Sequence, residues 1–136
     1  MIQRIQSVWL LLASACAFLS IKFPFYYMGT NPTLTIDQFS AVDKIILLIL
    51  TAILGTLCLF NIFIYKQRKL QLWLTILAII ISLLNIFLYF NYKQEYTSGG
   101  LALTSVFAFA IPVLLFFAAQ GIYKDQKLVR SMDRLR

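Results

Sequence analysis

Four long apolar stretches, residues 5–22, 41–65, 70–92 and 101–123, dominate this chain, and none carries Lys, Arg, Asp or Glu at mid-depth. At about 1.5 Å rise per residue and a hydrocarbon core of about 30 Å thickness, roughly 20 helical residues cross a bilayer. The last three stretches reach that length. The first is lengthened by Lys22, whose stem can snorkel, and by Phe23, Phe25, Tyr26 and Tyr27 beyond it. With 61% hydrophobic and 12% charged residues, the chain has about half the charge of a typical soluble domain, where roughly 25% is usual. These features predict an all-α membrane protein, an antiparallel four-transmembrane-helix bundle in one domain spanning residues 1–136.

The same composition removes whole chemistries. There is no histidine, so imidazole metal sites, histidine-ligated haem and Ser-His or Cys-His catalysis have no starting material. The two cysteines, Cys16 and Cys58, are too few for a zinc or iron–sulfur cluster, and both fall inside spans as small packing residues. All five acids lie at span ends, which leaves no intramembrane carboxylate pair for hydrolysis or coupled transport. The sequence therefore predicts no enzyme, no catalytic residue, no metal site and no cofactor. Ala13-Ser14-Ala15-Cys16 faintly matches a lipoprotein cleavage box. The apolar run before it starts only at Val8, so the segment is expected to be retained as a helix.

Basic residues beside the spans set the expected orientation. Arg4, Lys66, Arg68, Lys69, Lys124, Lys127, Arg130, Arg134 and Arg136 fall on one side, with Asp125 and Asp133 as the acids there. On the other side Lys22, Lys44 and Lys93 are balanced by Asp37, Asp43 and Glu95. The positive-inside rule then places both termini in the cytoplasm. The link at Lys66-Gln67-Arg68-Lys69 is short enough to make neighbours of the second and third helices. In the outer connections Pro24 stops the first helix, and Ser40 with Asp43 reads as an N-cap and N3 acid opening the second. Thr33-Leu34-Thr35-Ile36 alternates as a short strand would, so a small β-pair between the outer loops is expected.

Leucine burial does not drive helices together in lipid, so small and polar residues mark the contact faces. Thr75, Ala78, Ser82 and Asn85 form such a seam, as do Thr51, Gly55 and Cys58, and Ala13, Ala17 and Ser20. In the fourth helix Ala108, Ala118, Ala119 and Gly121 are the candidates, and Pro112 is expected to bend it. Among the amides, Asn61 and Gln120 lie at similar depth and are expected to meet; Asn85 needs a partner such as Thr51 or a backbone carbonyl.

Residues 124–136 form a basic amphipathic cytoplasmic tail. On a helix Leu128, Met132 and Leu135 make an apolar stripe, with Lys127, Arg130, Arg134 and Arg136 mostly elsewhere. Such a segment suits anionic headgroups or an acidic protein partner. A ribosomal RNA contact is the remaining option, though no base-stacking aromatics accompany the cations. The basic set Arg4, Lys66, Arg68, Lys69, Lys127, Arg130, Arg134 and Arg136 is accordingly the candidate for partner or headgroup contact. Asn61, Asn85 and Gln120 are the candidates for intramembrane polar contact.

The opening Met1-Ile2-Gln3-Arg4-Ile5-Gln6-Ser7-Val8-Trp9-Leu10-Leu11-Leu12-Ala13 and the closing Asp125-Gln126-Lys127-Leu128-Val129-Arg130-Ser131-Met132-Asp133-Arg134-Leu135-Arg136 resemble an uncharacterised family of small four-helix inner-membrane proteins from Bacteroidota. The resemblance implies topology and compartment and supplies no catalytic residues. With no equipment for chemistry or coupled transport but two basic cytoplasmic ends and ample helix surface, the expectation is a small accessory or assembly subunit of a larger membrane complex, with protein secretion or insertion machinery as one such host. The alternative is a small-molecule or lipid carrier using a cavity lined by the amides.

Overall fold

A computed structural model of the chain describes residues 3–28, 37–64, 67–93 and 99–133. Its four helices are α1 (Gln3–Lys22), α2 (Ile45–Phe63), α3 (Arg68–Lys93) and α4 (Val106–Asp133), with three short strands, β1 (Tyr26–Met28), β2 (Asp37–Phe39) and β3 (Gly99–Leu101), between them. All four helices are long and apolar enough to cross a membrane. Helix α1 packs against α2 and α4, and α3 packs against the same two. Gln6 near the start of α1 meets Asp125 near the end of α4, so these two run in opposite directions. Asn61 with Thr75 and Thr51 with Asn85 establish the same for α2 and α3.

One rule explains which side chains turn inward. Gln6, Leu10, Ala13, Ala17 and Ser20 in α1 are buried, at alternating spacings of four and three. So are Leu47, Thr51, Leu54, Cys58 and Asn61 in α2, and Gln71, Thr75, Ala78, Ser82, Asn85 and Tyr89 in α3. Helix α4 continues the pattern with Ala108, Ile111, Leu115, Ala118, Ile122 and Asp125. This is the a/d spacing that keeps one stripe of a helix facing its neighbours. Large apolar side chains such as Ile46, Phe60, Trp73, Phe87 and Phe116 are left on the outer surface, as lipid solvation requires.

The close approach of α1 and α2 depends on Gly55, where an added Cβ would stand 3.0 Å from Cζ of Phe18. Gly55→Leu is therefore expected to wedge the two helices apart and cost about 1–3 kcal/mol. Unfolding of the purified protein against SDS mole fraction checks this. Gly55→Ala should lie well below it, because the Phe18 ring can rotate aside.

The helix boundaries differ most from expectation at three places. Residues 101–105 do not begin α4: Gly99–Leu101 is a strand and Leu103–Ser105 a 3₁₀ turn. The backbone there is claimed by other partners, since β3 pairs with β1 and the Ala102 N–H donates to the Phe25 carbonyl at 3.0 Å. Likewise Ser40 and Asp43 cap a 3₁₀ turn, Ala41–Asp43, ahead of α2. The Ser40 N–H donates to Asp43 Oδ2 at 2.6 Å, and its hydroxyl donates to the same oxygen at 3.2 Å. Finally, α4 does not stop at Tyr123 but runs unbroken to Asp133, with Pro112 inside it. Much of the expected separate tail is thus a helical continuation of the last apolar stretch.

The α1–α2 and α3–α4 connections form a three-stranded antiparallel sheet in the order β2-β1-β3, rather than a pair. Its central strand is the aromatic segment that reads as an interfacial belt, with Tyr26 opposite both Phe39 and Leu101. The expected strand at residues 33–36 lies outside the described residues. Beneath the sheet Phe25, Tyr26, Phe39, Ala41, Leu47, Tyr89 and Ala108 make a second core, distinct from the one midway along the helices.

Candidate functional site

Each of the four buried seams ends in a polar residue at the same end of the bundle: Gln6 in α1, Asn61 in α2, Gln71 in α3 and Asp125 in α4. In lipid an unpaired polar group costs several kcal/mol, so these groups must find one another. Gln6 Nε2 donates to Asp125 Oδ2 at 2.6 Å, tying the two helices that carry the chain termini. Gly121, one turn before Asp125, makes room for this bond, because a Cβ there would stand 2.8 Å from Cγ of Gln6. Arg68 Nη1 donates to the Asp125 backbone carbonyl at 3.3 Å and brings α3 to the same spot. Beside it Asn61 Nδ2 donates to Thr75 Oγ1 at 2.8 Å, and Gln71 Nε2 donates to the Asn61 carbonyl at 3.3 Å.

Farther along the α2–α3 contact, Asn85 Nδ2 donates to Thr51 Oγ1 at 3.0 Å, and the Tyr89 side chain also bonds to Thr51. The Thr51 hydroxyl itself donates to the Leu47 carbonyl at 2.6 Å. Asn61 Oδ1 and Asn85 Oδ1 are both buried and accept no hydrogen bond from a described residue. Each amide therefore uses its donor half to fasten α3 to α2.

The sequence-derived candidates divide accordingly. Asn61 and Asn85 are buried contact residues, as expected, and Asn85 takes Thr51 as its partner. Gln120 does not meet Asn61; it lies exposed, off the buried stripe that passes through Ala118 and Ile122. Among the cations, Arg68 and Lys69 are not loop residues but occupy the first turn of α3. Arg68 is half-buried against α4, while Lys69 and Lys127 are exposed. Arg4 and Arg130 lie within α1 and α4; Lys66, Arg134 and Arg136 lie outside the described residues.

Gln6, Gln71 and Asp125 were missed as site residues. Continued at four-three spacing, the seam of α3 reaches Gln71 one step from Thr75, and those of α1 and α4 reach Gln6 and Asp125 two steps from Ala13 and Ala118, so the signal was present. It was obscured because residues near span ends read as solvated.

A membrane-spanning four-helix protein with a small β cap at one end and a hydrogen-bonded polar cluster at the other is the class that these features define. The chain belongs to the family described as domain of unknown function DUF4293, whose pattern it matches over residues 2–135. No curated protein and no solved structure matches it.

Proposed function

We propose that this protein is a non-catalytic integral inner-membrane subunit, with both termini in the cytoplasm, that assists or assembles a larger membrane complex. The observation carrying this reading is the way its polar groups are spent. Gln6, Asn61, Gln71, Thr75, Asn85 and Asp125 all bond across helix contacts, which suits groups that set helix register. The amides suggested as the lining of a carrier cleft do not share one, since Asn61 and Asn85 are packed between α2 and α3 and Gln120 faces outward. A basic end remains for contact: α4 runs to Asp133, with Lys124 and Lys127 exposed, and Gln6 holds the start of α1 beside it.

In-cell crosslinking followed by purification in mild detergents tests the subunit role, with one stable protein partner as the expected product. Recovery of the free chain alone under every condition would count decisively against it. Deleting residues 127–136 is expected to weaken recovery of that partner at least several-fold. Orientation is checked separately with terminal tags, which should resist a protease added to the periplasmic side.

A further inference from the structure

At the end of α4 the residues Lys124, Lys127, Leu128 and Ser131 line an open groove of about 390 Å³. They recur at spacings of three, one and three, so they share one face of the helix. Two observations distinguish this face from an ordinary solvated one. First, the nearest acid in the sequence, Asp125, is buried and held by Gln6, so it does not pair directly with either groove lysine. Lys124 and Lys127 are both exposed, and neither forms an ion pair with a described residue. Second, the groove sits where the apolar span of α4 ends: the membrane-competent stretch runs from Leu103 to Val129, and Lys124 and Lys127 are its cations. A pair of uncompensated ammonium groups beside Leu128, at headgroup depth, matches an amphiphile with an anionic head and an apolar body.

We propose that this groove binds one anionic phospholipid, its phosphodiester held between Lys124 and Lys127 and its apolar part lying along Leu128 and the adjoining helix surface. Lysine serves here as a point charge for phosphate. Ser131 donates its hydroxyl to the Leu128 carbonyl and shapes the groove wall. The site lies on the basic end assigned above to contact and goes beyond the subunit reading, and its test needs no protein partner.

Native mass spectrometry of the full chain, released from detergent with added phosphatidylglycerol or phosphatidylcholine, tests the proposal. One phosphatidylglycerol should bind in preference to phosphatidylcholine. A cation near an anionic lipid surface is worth about fivefold in affinity, so the Lys124→Gln, Lys127→Gln double variant should lose roughly thirtyfold. The Lys124→Arg, Lys127→Arg variant should retain binding, which also shows that the face tolerates substitution. Lys22→Gln removes one cation from the other end of the bundle and should leave binding within twofold. Equal binding of the two lipids would overturn the proposal. An equal loss in Lys22→Gln and Lys127→Gln would also overturn it, in favour of diffuse charge. Displacement of the lipid by equimolar inorganic phosphate would overturn it in favour of a free anion.

Discussion

Phe25→Ala is expected to destabilise the protein by about 3–5 kcal/mol, the usual cost of truncating a buried phenylalanine. The ring is 3% exposed and stacks on Tyr89 at a centroid distance of 4.2 Å, while Phe39 meets the other side of the cluster edge-on to Tyr89 at 6.3 Å. Its backbone is tied in as well. The Phe25 N–H donates to the Phe39 carbonyl at 2.7 Å, and its own carbonyl accepts from Ala102. The ring thus fastens the sheet to α3 together with Phe39, and its loss leaves a void in the core beneath β1. Tyr27→Ala is the comparison: it lies in the same strand, is 38% exposed, and should cost no more than about 0.5 kcal/mol. SDS-driven unfolding of the purified variants measures both. If the two variants unfold within 1 kcal/mol of each other on this scale, the cap does not anchor to the helices as described.

Gln6→Leu is the second large effect, at about 2–3 kcal/mol, because it strips the hydrogen-bond donor from a carboxylate that is 6% exposed. Hydrogen bonds to charged groups are worth more than neutral ones, and the greater part of the loss is the cost of leaving Asp125 buried without its donor. That reasoning fixes the sign of a double-mutant cycle. Asp125→Leu alone strands the Gln6 amide, whereas Gln6→Leu with Asp125→Leu removes both groups and should recover most of the stability. A double variant as unstable as the sum of the two singles would show that the groups act separately.

The seams show how far the sequence was legible. The spacing of Thr75, Ala78, Ser82 and Asn85 is enough to pick out the buried stripe of α3, because small and polar residues have no reason to face lipid. The amide at Asn85 demands a partner, Thr51 or a backbone carbonyl, and the fold supplies Thr51. Gln120 misled for an instructive reason. Depth alone suggested Asn61, but depth does not specify the face, and Gln120 lies on an exposed one. The sheet was half legible: strand pairing between the α1–α2 and α3–α4 connections was expected, but from the alternation at residues 33–36, which lie outside the described residues. The choice of Tyr26–Met28 as the central strand was not legible, since an aromatic run at a span end looks the same whether it anchors at the interface or pairs.

The amino-acid sequence by itself determined the four spans, their alternating directions across short and long links, and the small-residue stripes on which they pack. Hydrophobic length and 3.6-residue periodicity are local properties that a single segment carries. Only the tertiary structure decided that Asp125 turns inward to Gln6, that Asn61 chooses Thr75 over Gln120, and that α4 continues past the span as one helix. A hydrogen bond needs two groups brought within about 3 Å of each other. Residues 6 and 125 acquire that proximity only when the first and last helices pack side by side.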